Sequence, residues 1–153
     1  MRRNRAVAAL IALLFCCSYN AGARNSGKTA AAAIESVLRH QAECWNRHDL
    51  DGFMAGYWNS PELTFFSAAK VTSGWQSTVE RYRKTYQSEG HQMGQLEFSD
   101  LNIQPLSADA AFVRGAWQLT MPDGKKPHGL FTLIFRKFPD GWKIVHDHTS
   151  AGE

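Results

Sequence analysis

At 153 residues, 44% of them apolar and 20% charged, the chain is long enough for one compact core and too short for two. The formal charge of +3 rests on Arg2, Arg3 and Arg5, because without them the 17 Lys and Arg fall to 14, equal to the 14 Asp and Glu. A chain processed in that way is about neutral, which argues against nucleic acid or an anionic membrane as partner.

Those arginines precede an apolar run, Ala6 to Phe15, too short to span a bilayer, and then Ala21-Gly22-Ala23, a small-residue cleavage pattern. The expectation is a signal peptide over 1–23 and an exported, periplasmic or secreted protein. A lipoprotein signal is disfavoured by the bulky Phe15 before Cys16. Cys16 and Cys17 would leave with the signal, so Cys44 stands alone and reads as a small core residue beside Trp45.

Residues 24–29 are a polar, flexible lead-in, and the domain is expected over 30–150 with a tail at 151–153. From Ala30 to Trp45 the residues Ile34, Val37, Leu38, Gln41 and Trp45 share one helix face. Gln41 is the polar member of that stripe; it either satisfies a backbone group in the core or points into a cavity. Asp49 is placed to cap a second short helix with Leu50, Phe53, Met54 and Tyr57 on its buried side. Leu63 to Ser67 reads as a short strand. Ser73 with Gln76 reads as a capping box opening a third helix, Gly74 to about Glu89, with Trp75, Val79, Tyr82 and Tyr86 along one face.

Four longer strands follow: Leu96 to Gln104, Ala110 to Met121, Gly129 to Phe138 and Trp142 to Ser150, with turns at Ser107-Ala108-Asp109, Pro122-Asp123-Gly124 and Pro139-Asp140-Gly141. In the first of them Leu96 and Phe98 are out of phase with Leu101 and Ile103, which predicts a bulge near Ser99-Asp100. Alternation assigns Val113, Gly115, Trp117, Leu119, Phe131, Leu133, Phe135, Val145, Asp147 and Thr149 to an inner face. It leaves Arg114, Gln118, Thr132, Ile134, Arg136, Trp142, Ile144, His146 and His148 on the other, a mixture suited to an interface. The result is an α+β domain with helices packed on one face of a curved antiparallel sheet.

Trp45-Asn46-Arg47-His48-Asp49-Leu50-Asp51-Gly52 with Tyr57, Gly74 before the third helix, and Phe135-Arg136 through Asp140-Gly141-Trp142 to His146-Asp147-His148-Thr149-Ser150 resemble the nuclear transport factor 2-like superfamily. That group includes ketosteroid isomerase, SnoaL-like cyclases and the association domain of calmodulin-dependent kinase II, and the resemblance spans Ala30 to Ser150. It implies a cystatin-like cone, three N-terminal helices against a curved sheet, with an apolar cavity inside and a homodimer interface on the outer sheet face.

The resemblance does not carry the chemistry across. Positions matching the isomerase base, tyrosine and second acid hold Phe65 or Phe66, Gln41 and Leu133. The position of the cyclase acid holds Thr149, with Asp147 one inward step earlier. Positions matching the arginines of the kinase association domain hold Trp117 and Leu133.

Asp147 is therefore the candidate for proton transfer in an isomerase-, cyclase- or dehydratase-type reaction, with Gln41 as hydrogen-bond donor. Gln41, Trp45, Tyr57, Trp117, Leu133 and Thr149 are the candidate binding residues for a small, largely apolar molecule. The alternative is that Asp147 bonds Gln41 or a backbone amide and only closes the cone, in a non-catalytic dimerisation or ligand-binding module. His146 and His148 offer two ligands where a metal site needs more, and read as interface or surface residues. The sequence points to no cofactor.

Overall fold

The computed structural model describes residues 8–152, with side chains from residue 27 onward. The expected export segment, 1–23, lies outside the residues whose side chains are described. No helix among the described residues is long and apolar enough to cross a membrane.

Helix α1 (Ala8–Asn46) carries Ile34, Leu38, Gln41, Cys44 and Trp45 on a fully buried face. Residues 24–29, expected as a lead-in, are helical here as its continuation. The helix stops where Asn46 exchanges its intrahelical role for a two-way bond with a strand: its Nδ2 donates to the Leu96 carbonyl (3.1 Å) and its Oδ1 accepts from the Leu96 amide (2.6 Å). His48 then takes a left-handed conformation, φ 63°, and Asp49 caps α2 (Leu50–Met54) by accepting from the Gly52 amide at 2.8 Å. Leu50, Phe53 and Met54 are buried as the spacing predicts. Tyr57 lies past the end of α2, in an isolated parallel bridge to Ile144.

Strand β1 (Thr64–Ser67) is followed by a strand the sequence reading lacks, β2 (Lys70–Ser73), folded back antiparallel on it. The tight turn between them is made by Ala68 and Ala69, both at positive φ (49° and 56°). A turn with two left-handed positions normally announces itself through Asn and Gly, and two alanines give no such signal. Placing Ser73 in β2 also removes the capping box. Helix α3 (Trp75–Tyr86) has Gly74 as N-cap at φ 88° with no side-chain cap bond, and Gln76 donates to Glu80 instead. The helix ends at Tyr86, a turn short of the expected Glu89.

The four long strands are β3 (Gln95–Pro105), β4 (Ala110–Thr120), β5 (His128–Phe138) and β6 (Gly141–Thr149). The sheet runs β2-β1-β6-β5-β4-β3, antiparallel throughout except for β1 beside β6, which are parallel. The predicted bulge in β3 is present: the register shifts between Ser99 and Asn102, with Asp100 at φ 53°. The helices lie on the inner face of this curved, unclosed sheet, so the fold is α+β as expected.

A second bulge changes the expected faces. Ile134 pairs with His146 and Phe135 with Ile144, so Val145 is an extra residue without a ladder partner. N-terminal to it the alternation of β6 is inverted. Trp142 and Ile144, assigned from the sequence to the outer face, are buried in the core at 6% and 1% exposure. C-terminal to it the expected phase holds: Asp147 stands opposite Leu133 and Thr149 opposite Phe131, on the inner face.

Candidate functional site

Between helices and sheet lies a cavity of about 280 Å³, lined chiefly by aliphatic and aromatic side chains. Helix α1 contributes Leu38, Gln41 and Trp45, α3 contributes Arg81, Tyr82, Thr85 and Tyr86, and the inner sheet face contributes Phe65, Phe98, Trp117, Phe131, Leu133, Ile144, Asp147 and Thr149. All seven residues singled out from the sequence line this one space. Trp45 is fixed in its wall by an indole N–H bond to the Met93 carbonyl (3.1 Å) and edge-on contacts with Phe53 and Tyr86, at centroid distances of 5.1 and 4.8 Å. Trp117 donates to the Ser150 carbonyl at 3.0 Å and ties the residue after β6 to β4 across β5.

Asp147 is 3% exposed, and its partners are neither Gln41 nor a backbone amide. The Tyr57 hydroxyl donates to Oδ2 (2.8 Å) and the Thr149 hydroxyl to Oδ1 (2.6 Å). Desolvation raises the Asp147 pKa from 3.8 to about 6, against the opposing effect of those two bonds and the positive fields of His148 and Arg81. Tyr57 is held far above its ordinary range by burial and by the neighbouring carboxylate, and so stays a neutral donor. Tyr82 is also pushed up, mainly by burial and then by the Asp147 carboxylate. Tyr57, Asp147 and Thr149 therefore form a hydrogen-bonded polar group in a largely apolar chamber.

Gln41 meets both alternatives left open by the sequence. Its Nε2 donates to the Phe53 carbonyl at 2.9 Å, and the side chain still lines the cavity. An amide nitrogen carries two hydrogens, and the bond to Phe53 uses one of them. The amide is seated against Gly56, where a Cβ would stand 2.6 Å from Gln41 Cδ; only glycine permits that approach.

Two groups in the cavity wall escaped the sequence reading. Arg81 and Tyr82 sit on a helix whose spacing marks Tyr82 as core and says nothing of Arg81. Tyr57 was named as lining, but its bond to Asp147 joins residues 90 positions apart. On the outer sheet face His146 meets Thr64 Oγ1 at 2.6 Å and packs edge-on to Phe66 at 5.0 Å. Burial and the charge of His148 lower its pKa. No group of three or more His, Cys, Asp or Glu side chains among the described residues could hold a metal ion.

The chain's relatives agree with this architecture. A family model for the SnoaL-like domain matches residues 34–152. Among solved structures, a nuclear transport factor 2-like protein of unknown function from Shewanella oneidensis MR-1 is 39% identical, with TM-score 0.73, covering 78% of this chain and 98% of that one. A ketosteroid isomerase-like protein from Erwinia carotovora atroseptica SCRI1043 shares the fold at 22% identity, TM-score 0.64, over 80% and 95% of the two chains. A Nostoc punctiforme PCC 73102 protein of unknown function with a cystatin-like fold does so at 10% identity, TM-score 0.66, over 80% and 90%. No curated protein matches the sequence. With the family model covering most of the chain and a 39%-identical relative sharing its fold, the chain belongs to the SnoaL-like domain family of the nuclear transport factor 2-like superfamily.

Proposed function

We propose that this SnoaL-like domain is exported and binds a small, largely apolar molecule in the cavity, where Asp147 moves a proton in an isomerase-, cyclase- or dehydratase-type reaction on a carbonyl-containing ligand. The observation that carries the reading is the state of Asp147. A carboxyl with a pKa of about 6 is mostly ionised at neutral pH yet still basic enough to be protonated by a weakly acidic C–H in the course of turnover. Each carboxylate oxygen accepts one protein bond and keeps lone-pair capacity toward the ligand. The second N–H of Gln41 supplies a donor for oxygen charge developing on the ligand. Tyr57 and Thr149 fix the orientation of the acid.

Asp147→Asn tests the proposal, because it keeps shape and polarity but cannot take a proton. With a substrate found by screening carbonyl compounds for loss or gain of enone absorbance, turnover should fall by about a hundredfold or more while ligand affinity changes little. Unaltered turnover in this variant would remove Asp147 from the mechanism and leave a binding module.

A second reading, of a non-catalytic module working as a homodimer, is favoured by the outer sheet face. Leu130 is 65% exposed, Val71 62% and Ile134 39%, and Phe66 and His148 lie beside them. Sedimentation velocity distinguishes a dimer through this face from a monomer.

A further inference from the structure

The cavity wall contains two charged residues, Asp147 and Arg81, and among the described residues the second forms no direct ion pair, although its field reaches Asp147. Arg81 is half-buried on α3. One nitrogen, Nη1, donates to Thr72 Oγ1 on β2 at 3.0 Å, and the guanidinium carbon stands 4.8 Å from the centroid of the Phe65 ring, itself part of the wall. Those contacts aim the group and use one of its five N–H donors. No carboxylate among the described residues lies within ion-pair reach of it, whereas Arg83, two residues on, pairs with Asp51 at 2.8 Å and Arg136 reaches Asp109 at 3.5 Å. A half-buried guanidinium facing an aromatic chamber, fixed in direction and left with free donors in a planar fork, suits an incoming anion.

We propose that Arg81 is the anion-recognising residue of the cavity and that its ligand is an aromatic or alicyclic monocarboxylate. The ring would lie among Trp45, Phe98, Trp117 and Phe131, with the carboxylate on the Arg81 fork. With Asp147 ionised, a monocarboxylate leaves the cavity with one net negative charge and a phosphate dianion would leave it with two, so the carboxylate is the better match. The inference rests on the reading of the cavity as a ligand site and names the class of molecule that fills it.

Calorimetric titration at pH 7 with 2-naphthoate, its neutral isostere 2-naphthamide and 2-naphthyl phosphate separates the possibilities. The wild type should bind the carboxylate at least tenfold more tightly than the amide and more tightly than the phosphate. Arg81→Met, which keeps the Phe65 face covered, should abolish the preference by lowering carboxylate affinity at least tenfold more than amide affinity, and Arg81→Lys should restore part of it. Equal affinity for acid and amide, or a preference that survives Arg81→Met, would overturn the role of Arg81 with the cavity reading intact. A stronger grip on the phosphate would overturn the carboxylate. Binding of none of the three would remove both this inference and the ligand-site reading on which it rests.

Discussion

At the scale of single residues the decisive quantity is the cost of ionising Asp147. A shift from 3.8 to about 6 corresponds to about 3 kcal/mol at about 1.4 kcal/mol per unit. Between those two values the folded protein holds a proton that the unfolded chain has released, so stability falls as pH rises through the window. The stabilisation is complete below pH 3.8 and gone above about 6. Urea denaturation of the wild type, referenced to Asp147→Asn to cancel all other titrations, should show the wild type losing about 2.4 kcal/mol of this between pH 4 and pH 7 relative to the variant; a flat difference would mean that the carboxyl is not desolvated. The Tyr57 hydroxyl works in the opposite direction by bonding the ionised form. Tyr57→Phe should therefore move the Asp147 titration, followed by carboxyl carbon NMR, to still higher pH.

At the scale of elements the β1–β2 hairpin is the weak joint. Ala68 and Ala69 both pay for a left-handed backbone, at about 1–2 kcal/mol per residue for an L side chain. The hairpin nevertheless brings Ser67 to the cavity wall and carries Thr72, the partner of Arg81. Asn and Gly adopt that backbone readily, so the double change Ala68→Asn, Ala69→Gly should raise stability by about 1 kcal/mol after the extra chain entropy of glycine. The midpoint of chemical denaturation reads this directly, and no increase would indicate a different turn. The bulge at Val145 has a different consequence. By inserting one residue it turns Trp142 and Ile144 inward without disturbing Asp147 and Thr149, and so closes one end of the sheet on the core while keeping the polar pair at the cavity.

At the scale of the whole molecule the two sheet faces have separate tasks. The inner face is covered by the three helices and keeps the cavity. The outer face carries Leu130, Ile134, Phe66 and the His146–His148 pair, and no element among the described residues covers it. Apolar groups exposed in adjacent strands favour association. If the homodimer reading is right, the wild type should sediment as a dimer at micromolar concentration, and Leu130→Glu with Ile134→Glu should give a folded monomer. A wild type that remains monomeric at that concentration would rule out this face as a self-association surface.

What could be read from the sequence was what repeats at short range. Helical spacing gave the buried face of α1 and the residues of α2, and two-residue alternation gave the four long strands, because both periods are set by backbone geometry. The out-of-phase Leu101 and Ile103 gave the first bulge for the same reason. Alternation on the sheet, the spacing of the first helices and the family resemblance together gathered Gln41, Trp45, Tyr57, Trp117, Leu133, Asp147 and Thr149 about one space. Tertiary structure alone decided the rest. The hairpin of two alanines depends on neighbours that stabilise an unfavourable backbone, and the Val145 bulge depends on β5 offering Phe135 to Ile144. The bond from Tyr57 to Asp147 and the exposure of Arg81 to the cavity arise because the bridge of Tyr57 to Ile144 and the packing of α3 unite distant segments. No local pattern in the chain records a contact across 90 residues.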